Sequence, residues 1–140
     1  MAPENIALVQ QSFKQVVPIA DTAANLFYDR LFAIAPDVRP LFPEDLADQK
    51  KKLIGMLATA VGNLHQLDTI LPAVVALGRR HIDYGVVPAH YGPVGAALLW
   101  TLEQGLGEGF TPAVKAAWTE AYLTLAGAMQ APLPPSPTAA

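Results

Sequence analysis

The sequence predicts an all-α fold. Three observations carry that prediction. Apolar residues recur at helical spacing along most of the chain. Prolines and glycines cut the pattern into segments of helix length. No stretch carries the signal of a strand. With 140 residues, one domain is expected. It spans 1–130, and the proline-rich 131–140 reads as a disordered or polyproline-like tail. The apolar fraction of 52% is enough to line an internal cavity as well as fill a core.

The elements follow in order. Pro3-Glu4 is a helix start, with proline tolerated in the first turn and an acid favoured there. Ile6, Val9, Phe13 and Val16-Val17 form its apolar face, and Pro18 breaks or restarts it. A second helix runs to about Ala35 with Ala24, Phe27, Tyr28, Leu31 and Phe32 inward. Pro36, Pro40 and Pro43 stiffen a corner in which Phe42 must bury its ring. From about Asp45 a third helix carries the stripe Leu46, Gln49, Leu53, Leu57, Ala60, Leu64, with Lys50, Lys51 and Lys52 on its solvated side. After a short connector at 63–68 comes 70–84, with Ile70, Val74, Leu77, His81 and Tyr84 on one face. Pro88 opens the next helix, which presents Tyr91, Val94, Leu98 and Leu102 and is closed by Gly105, Gly107 and Gly109. Thr111-Pro112 is an N-cap followed by a first-position proline, and the last helix carries Val114, Trp118, Tyr122, Leu125 and Met129.

Several function classes drop out. The formal charge is −3 and no basic stripe exists, so nucleic acid is not an expected partner. The absence of cysteine excludes disulfides, thiolate metal sites and thiol catalysis. No apolar run has the length of a membrane span. The N-terminus has no basic segment leading into an apolar one, so a signal peptide is not expected and a cytoplasmic protein is. The glycine-rich 105–109 follows a helix rather than a strand and reads as a helix stop, not a phosphate loop.

What remains is an imidazole on a greasy stripe. His81 is either a core histidine with a hydrogen-bond partner or a ligand aimed into an apolar cavity. Tyr28 and Phe42 read equally well as ordinary core aromatics, and Gln49 as a helix-end residue turned to water. Taken together, one inward histidine and a polar pair in an all-helical chain suggest a prosthetic group held between helices. A haem fits, because it needs one neutral imidazole, an apolar slot and an aromatic against its face.

The ordered set LFYDRLF (26–32), PDVRPLF (36–42), Gln49 with Leu53, LPAV followed by RRH (71–81), and HYGPVG (90–95) resembles bacterial single-domain globins. It is similar to the globin part of flavohaemoglobins over about 4–129. The resemblance implies the globin fold, all-α with helices packed around one haem pocket, and haem b (iron protoporphyrin IX) as cofactor. It implies His81 as the proximal iron ligand and Phe42, Leu53, Leu77 and Tyr91 as further haem contacts. Tyr28 and Gln49 become the distal pair. One departure concerns the proximal side: the family usually carries a glutamate on the last helix, and here no acid follows Glu120. The resemblance therefore carries over no proximal charge relay and no strongly peroxidase-like behaviour. The other is that flavohaemoglobins continue into flavin and nicotinamide domains, which makes an external reductase the expected electron source. Oxygen, nitric oxide or another diatomic is the expected ligand. Reversible oxygen binding is the leading function, ahead of nitric oxide dioxygenation with a separate reductase and of a gas-sensor module.

Overall fold

The computed structural model describes residues 2–83 and 88–130, without the side chains of Asp68, 77–83, Pro88 and Gln130. Leu77 and His81 therefore have a described backbone only, and Tyr84 and the 131–140 tail lie outside the described residues. Six α-helices are present among them: α1 Pro3–Val16, α2 Ala20–Ile34, α3 Ala47–Gly62, α4 Leu67–Asp83, α5 Tyr91–Leu106 and α6 Pro112–Gln130. Short 3₁₀ turns join them, and no strand occurs among the described residues. No helix there is long and apolar enough to cross a membrane.

Helix starts follow the local chemistry. Pro3 stands in the first turn of α1 with Glu4 beside it. The Val114 amide donates to Thr111 Oγ1 at 3.2 Å, so α6 has the side-chain cap its sequence suggests. At α3 the Ala47 amide donates to Asp45 Oδ1 at 2.9 Å. α5 ends at Leu106, and Gly107 takes φ +55° and ψ −123° to turn the chain out of the helix.

Four expectations need correction. Val17 does not extend the apolar face of α1; it is 52% exposed, because the chain leaves the α-helix at Val16 and the 3₁₀ turn Val17–Ile19 turns it outward. Pro88 opens a 3₁₀ turn, Pro88–His90, and the α-helix begins only at Tyr91. The connector at 63–68 is shorter than expected, since α4 already begins at Leu67 and takes Pro72 into its interior. Lys50 is half-buried, unlike its exposed neighbours Lys51 and Lys52.

The core lies where α1 and α6, α2 and α5, and α4 and α6 pack together, with α3 laid against α1 and α2. Val9, Phe13, Phe27, Leu31, Val61, Ala97, Leu102, Ala117 and Trp118 are buried in it. Phe32, Phe42, Leu46, Leu53, Leu57, Val94 and Tyr122 are partly buried against its margin. This margin, where α2, the 36–46 corner and α3 converge, holds most of the candidate site.

Candidate functional site

α2 delivers Tyr28. The residue is 3% exposed, and its ring is surrounded by aromatics. Phe27 stacks edge-on at 5.0 Å, Phe42 edge-on at 5.7 Å, and Phe32 lies tilted at 5.9 Å. These are favourable quadrupole geometries and fix the ring in place. The Tyr28 hydroxyl reaches the Gln49 main-chain carbonyl at 3.5 Å, the long limit of a hydrogen bond. Burial raises the Tyr28 phenol above its ordinary value of 10.0, and a hydrogen bond with the Gln49 side chain opposes that only in part. At neutral pH Tyr28 is thus a protonated O–H in apolar surroundings, with only a long contact to its carbonyl acceptor.

The expected Tyr28–Gln49 pairing is present in space: the first turn of α3 brings Gln49, half-buried, beside the phenol. Leu53 lies one turn further along α3 and is half-buried against the core. Phe42 packs on both Tyr28 and Phe32, at 5.5 Å from the latter. Tyr28, Gln49, Leu53 and Phe42 therefore share one neighbourhood. His81 lies in α4, two residues before its end, and Leu77 one turn before it; their side chains are among those not described. Of the other histidines, His65 is exposed in a 3₁₀ turn and His90 is half-buried immediately before α5.

Tyr91 opens α5. Its side chain is half-buried, and burial raises its phenol above 10.0. The Tyr122 hydroxyl donates to the Tyr91 carbonyl at 2.5 Å. Burial first, then the neighbouring Tyr91, push the Tyr122 phenol far above its ordinary range. The Tyr122 ring lies so close to Gly95 that a Cβ there would stand 2.7 Å from its Cε2. Sequence reasoning placed Tyr122 on a core stripe and missed this role. The available signal was Gly95 itself, a residue without a side chain one turn after Tyr91.

Arg39 was also missed. Its guanidinium donates to three main-chain carbonyls, those of Phe42 (3.3 Å), Pro43 (3.0 Å) and Glu44 (3.1 Å), and lies 5.1 Å over the Phe32 ring. A shallow groove on α6, lined by Pro112, Lys115, Ala116, Thr119 and Leu123 among others, contains none of the candidate residues.

A buried phenol beside an amide among packed aromatic rings, on an all-helical frame, defines a class: a helical protein with a polar pair set against its apolar core. The globin family model matches residues 25–129, and the chain belongs to the globin family. It is 35% identical over 124 residues to a flavohemoprotein of Bacillus subtilis, covering 82% of this chain and 31% of that protein. It is 29% identical over 129 residues to a flavohemoprotein of Rhodopirellula baltica, covering 90% of this chain and 32% of that one. The chain thus spans about a third of the length of these relatives. Membership in the family supports a haem cofactor and a diatomic gas ligand as the functional class.

Proposed function

We propose that residues 1–130 form one globin domain that holds haem b, with His81 on the iron, and reversibly binds oxygen and other diatomic ligands. The observation that carries this reading is Tyr28, a buried protonated phenol whose present partner is a carbonyl at 3.5 Å. A group so placed has more to gain from a polar ligand than from its resting contact. The residues beside it suit the cofactor, since Phe42 and Leu53 offer aromatic and aliphatic faces, and the assignment of His81 to the iron rests on the likeness to the family. When bound, the haem supplies an iron centre that accepts a diatomic ligand and can change oxidation state.

The chain's own residues do the rest. Tyr28 donates one O–H and Gln49 up to two N–H bonds to a ligand carrying partial negative charge. Leu53, Phe42 and Leu46 keep water away from it. Tyr91, half-buried at the start of α5, would be a further haem contact. No carboxylate follows Glu120 in the sequence, so this reading assigns no acid partner to His81 from the last helix.

A second reading is favoured by the likeness to flavohemoproteins: nitric oxide and oxygen combine to nitrate, with one electron drawn from a separate reductase in each turnover. The chain residues involved are the same, and sustained nitrate formation with an added reductase distinguishes it.

The test of the main reading is spectral. Purified protein reconstituted with haem gives a Soret band and a five-coordinate ferrous spectrum. His81→Ala loses that spectrum, whereas His65→Ala and His90→Ala keep it. A wild-type deoxy spectrum in His81→Ala contradicts the assignment.

A further inference from the structure

We propose that Arg39 is a positioning residue for the haem seat, acting through Phe42. The inference rests on the haem reading above. It starts from an accounting of main-chain carbonyls. Phe42 is extended, at φ −115° and ψ 152°, and the chain from there to Leu46 lies outside any helix. The carbonyls of Phe42, Pro43 and Glu44 have no helical N–H to accept from, and carbonyls without donors destabilise a fixed conformation. Arg39 supplies the donors from one side chain: Nη1 to Phe42 and Pro43, Nη2 to Glu44. A planar fork spreads its N–H groups over two nitrogens here and so spans three successive carbonyls, whereas an ammonium offers its three N–H groups from a single nitrogen.

The same guanidinium lies over Phe32, and Phe32 packs edge-on against Phe42 at 5.5 Å. Arg39 thus holds Phe42 from two directions, through its own carbonyl and through the ring beside it. Its side chain is fixed at its base as well, since the Phe42 amide donates to the Arg39 carbonyl at 3.1 Å. Arg39 does not touch the haem in this account. It fixes the backbone from which the Phe42 ring projects.

The experiment follows haem transfer from reconstituted protein to excess apo-globin acceptor, with amide hydrogen exchange on the haem-free chain. Arg39→Met is expected to lose haem about three- to tenfold faster, the size of one or two charge-assisted bonds lost at a partly exposed site. Arg39→Lys keeps the charge and is expected to restore less than half of that difference. Placed on Phe42→Ala, Arg39→Met adds less than about twofold, because the residue it positions is gone. In the haem-free chain, Arg39→Met speeds exchange at the Phe42 and Ala47 amides, which are hydrogen-bonded at the two ends of the clamped segment, and leaves the core amides of Val9 and Leu31 unchanged. Wild-type haem retention in Arg39→Met, full rescue by Arg39→Lys, or an undiminished effect on Phe42→Ala each overturns the proposal. Haem loss that stays unchanged in Phe42→Ala itself overturns the reading on which it rests. A Phe42→Ala that sheds haem while Arg39→Met does not overturns the clamp alone.

Discussion

Tyr28 is a phenol taken out of water whose bond to the Gln49 carbonyl is stretched to 3.5 Å, so a polar ligand near it gains a bond at little cost. A net hydrogen bond is worth about 1 kcal/mol and one to a charged group about 1.5–3 kcal/mol. Tyr28→Phe is therefore expected to raise the oxygen off-rate about tenfold or more, with a smaller rise for Gln49→Leu. Carbon monoxide, which carries little charge when bound, should be released at nearly the wild-type rate. Equal effects on both gases in stopped-flow would mean that the pocket acts by shape alone. A second residue-scale expectation concerns alkali. Burial raises the phenols of Tyr28, Tyr91 and Tyr122 above 10.0 in the folded chain. Between that value and the raised native ones, the unfolded chain ionises and the native one does not. The contribution to stability is complete below pH 10 and is lost as the pH rises above it. Tyr122→Phe should make the alkaline fall in unfolding free energy shallower, as read by denaturant titration at pH 9, 10 and 11; a fall as steep as wild type would remove Tyr122 from the account.

At the scale of elements, the helices show what a sequence makes legible and what it leaves out. Pro3 and Thr111-Pro112 mark starts because caps are local chemistry, and α1 and α6 begin there. Val17 was misplaced because a turn of 3₁₀ helix shifts the phase of every following side chain, and periodicity alone does not detect the shift. Tyr28, Phe42 and Gln49 were legible as odd polar and aromatic residues on apolar faces, whereas Leu53 joined them only through the resemblance to the family. The roles of Arg39 and Tyr122 were not, because their partners are main-chain carbonyls, and carbonyls carry no signature in sequence. Two glycines test the element ends. Gly107 occupies a region of backbone space open essentially to glycine, and Gly107→Ala should cost about 1–3 kcal/mol. Gly95→Ala drives a methyl into the Tyr122 ring beside backbone that is itself hydrogen-bonded, and about 1–3 kcal/mol is again expected from overpacking. Urea unfolding reads both; a neutral Gly95→Ala would show that the ring yields.

Across the whole molecule, the first and last helices are joined by one buried polar contact. Trp118 Nε1 donates to Ser12 Oγ at 2.8 Å, and Ser12 Oγ donates in turn to the Leu8 carbonyl at 2.7 Å. The Phe13 and Trp118 rings lie 6.2 Å apart beside it. Ser12→Ala leaves an indole N–H buried without its acceptor, which should cost about 1–3 kcal/mol. Trp118→Phe removes the donor and leaves Ser12 its carbonyl, so a smaller polar penalty is expected. Adding Ser12→Ala to Trp118→Phe should then cost less than Ser12→Ala does alone. Additive losses in that cycle would show that the bond contributes nothing of its own.

The Ser12–Trp118 seam also orders events during synthesis. A ribosome delivers α1 long before α6, so the faces of Val9 and Phe13 that α6 covers stay open while some hundred intervening residues are made. The pairing of α2 with α5 waits in the same way for the second half of the chain. A nascent chain halted before Pro112 therefore carries an apolar surface that α6 has yet to cover, the kind of surface a holding chaperone binds.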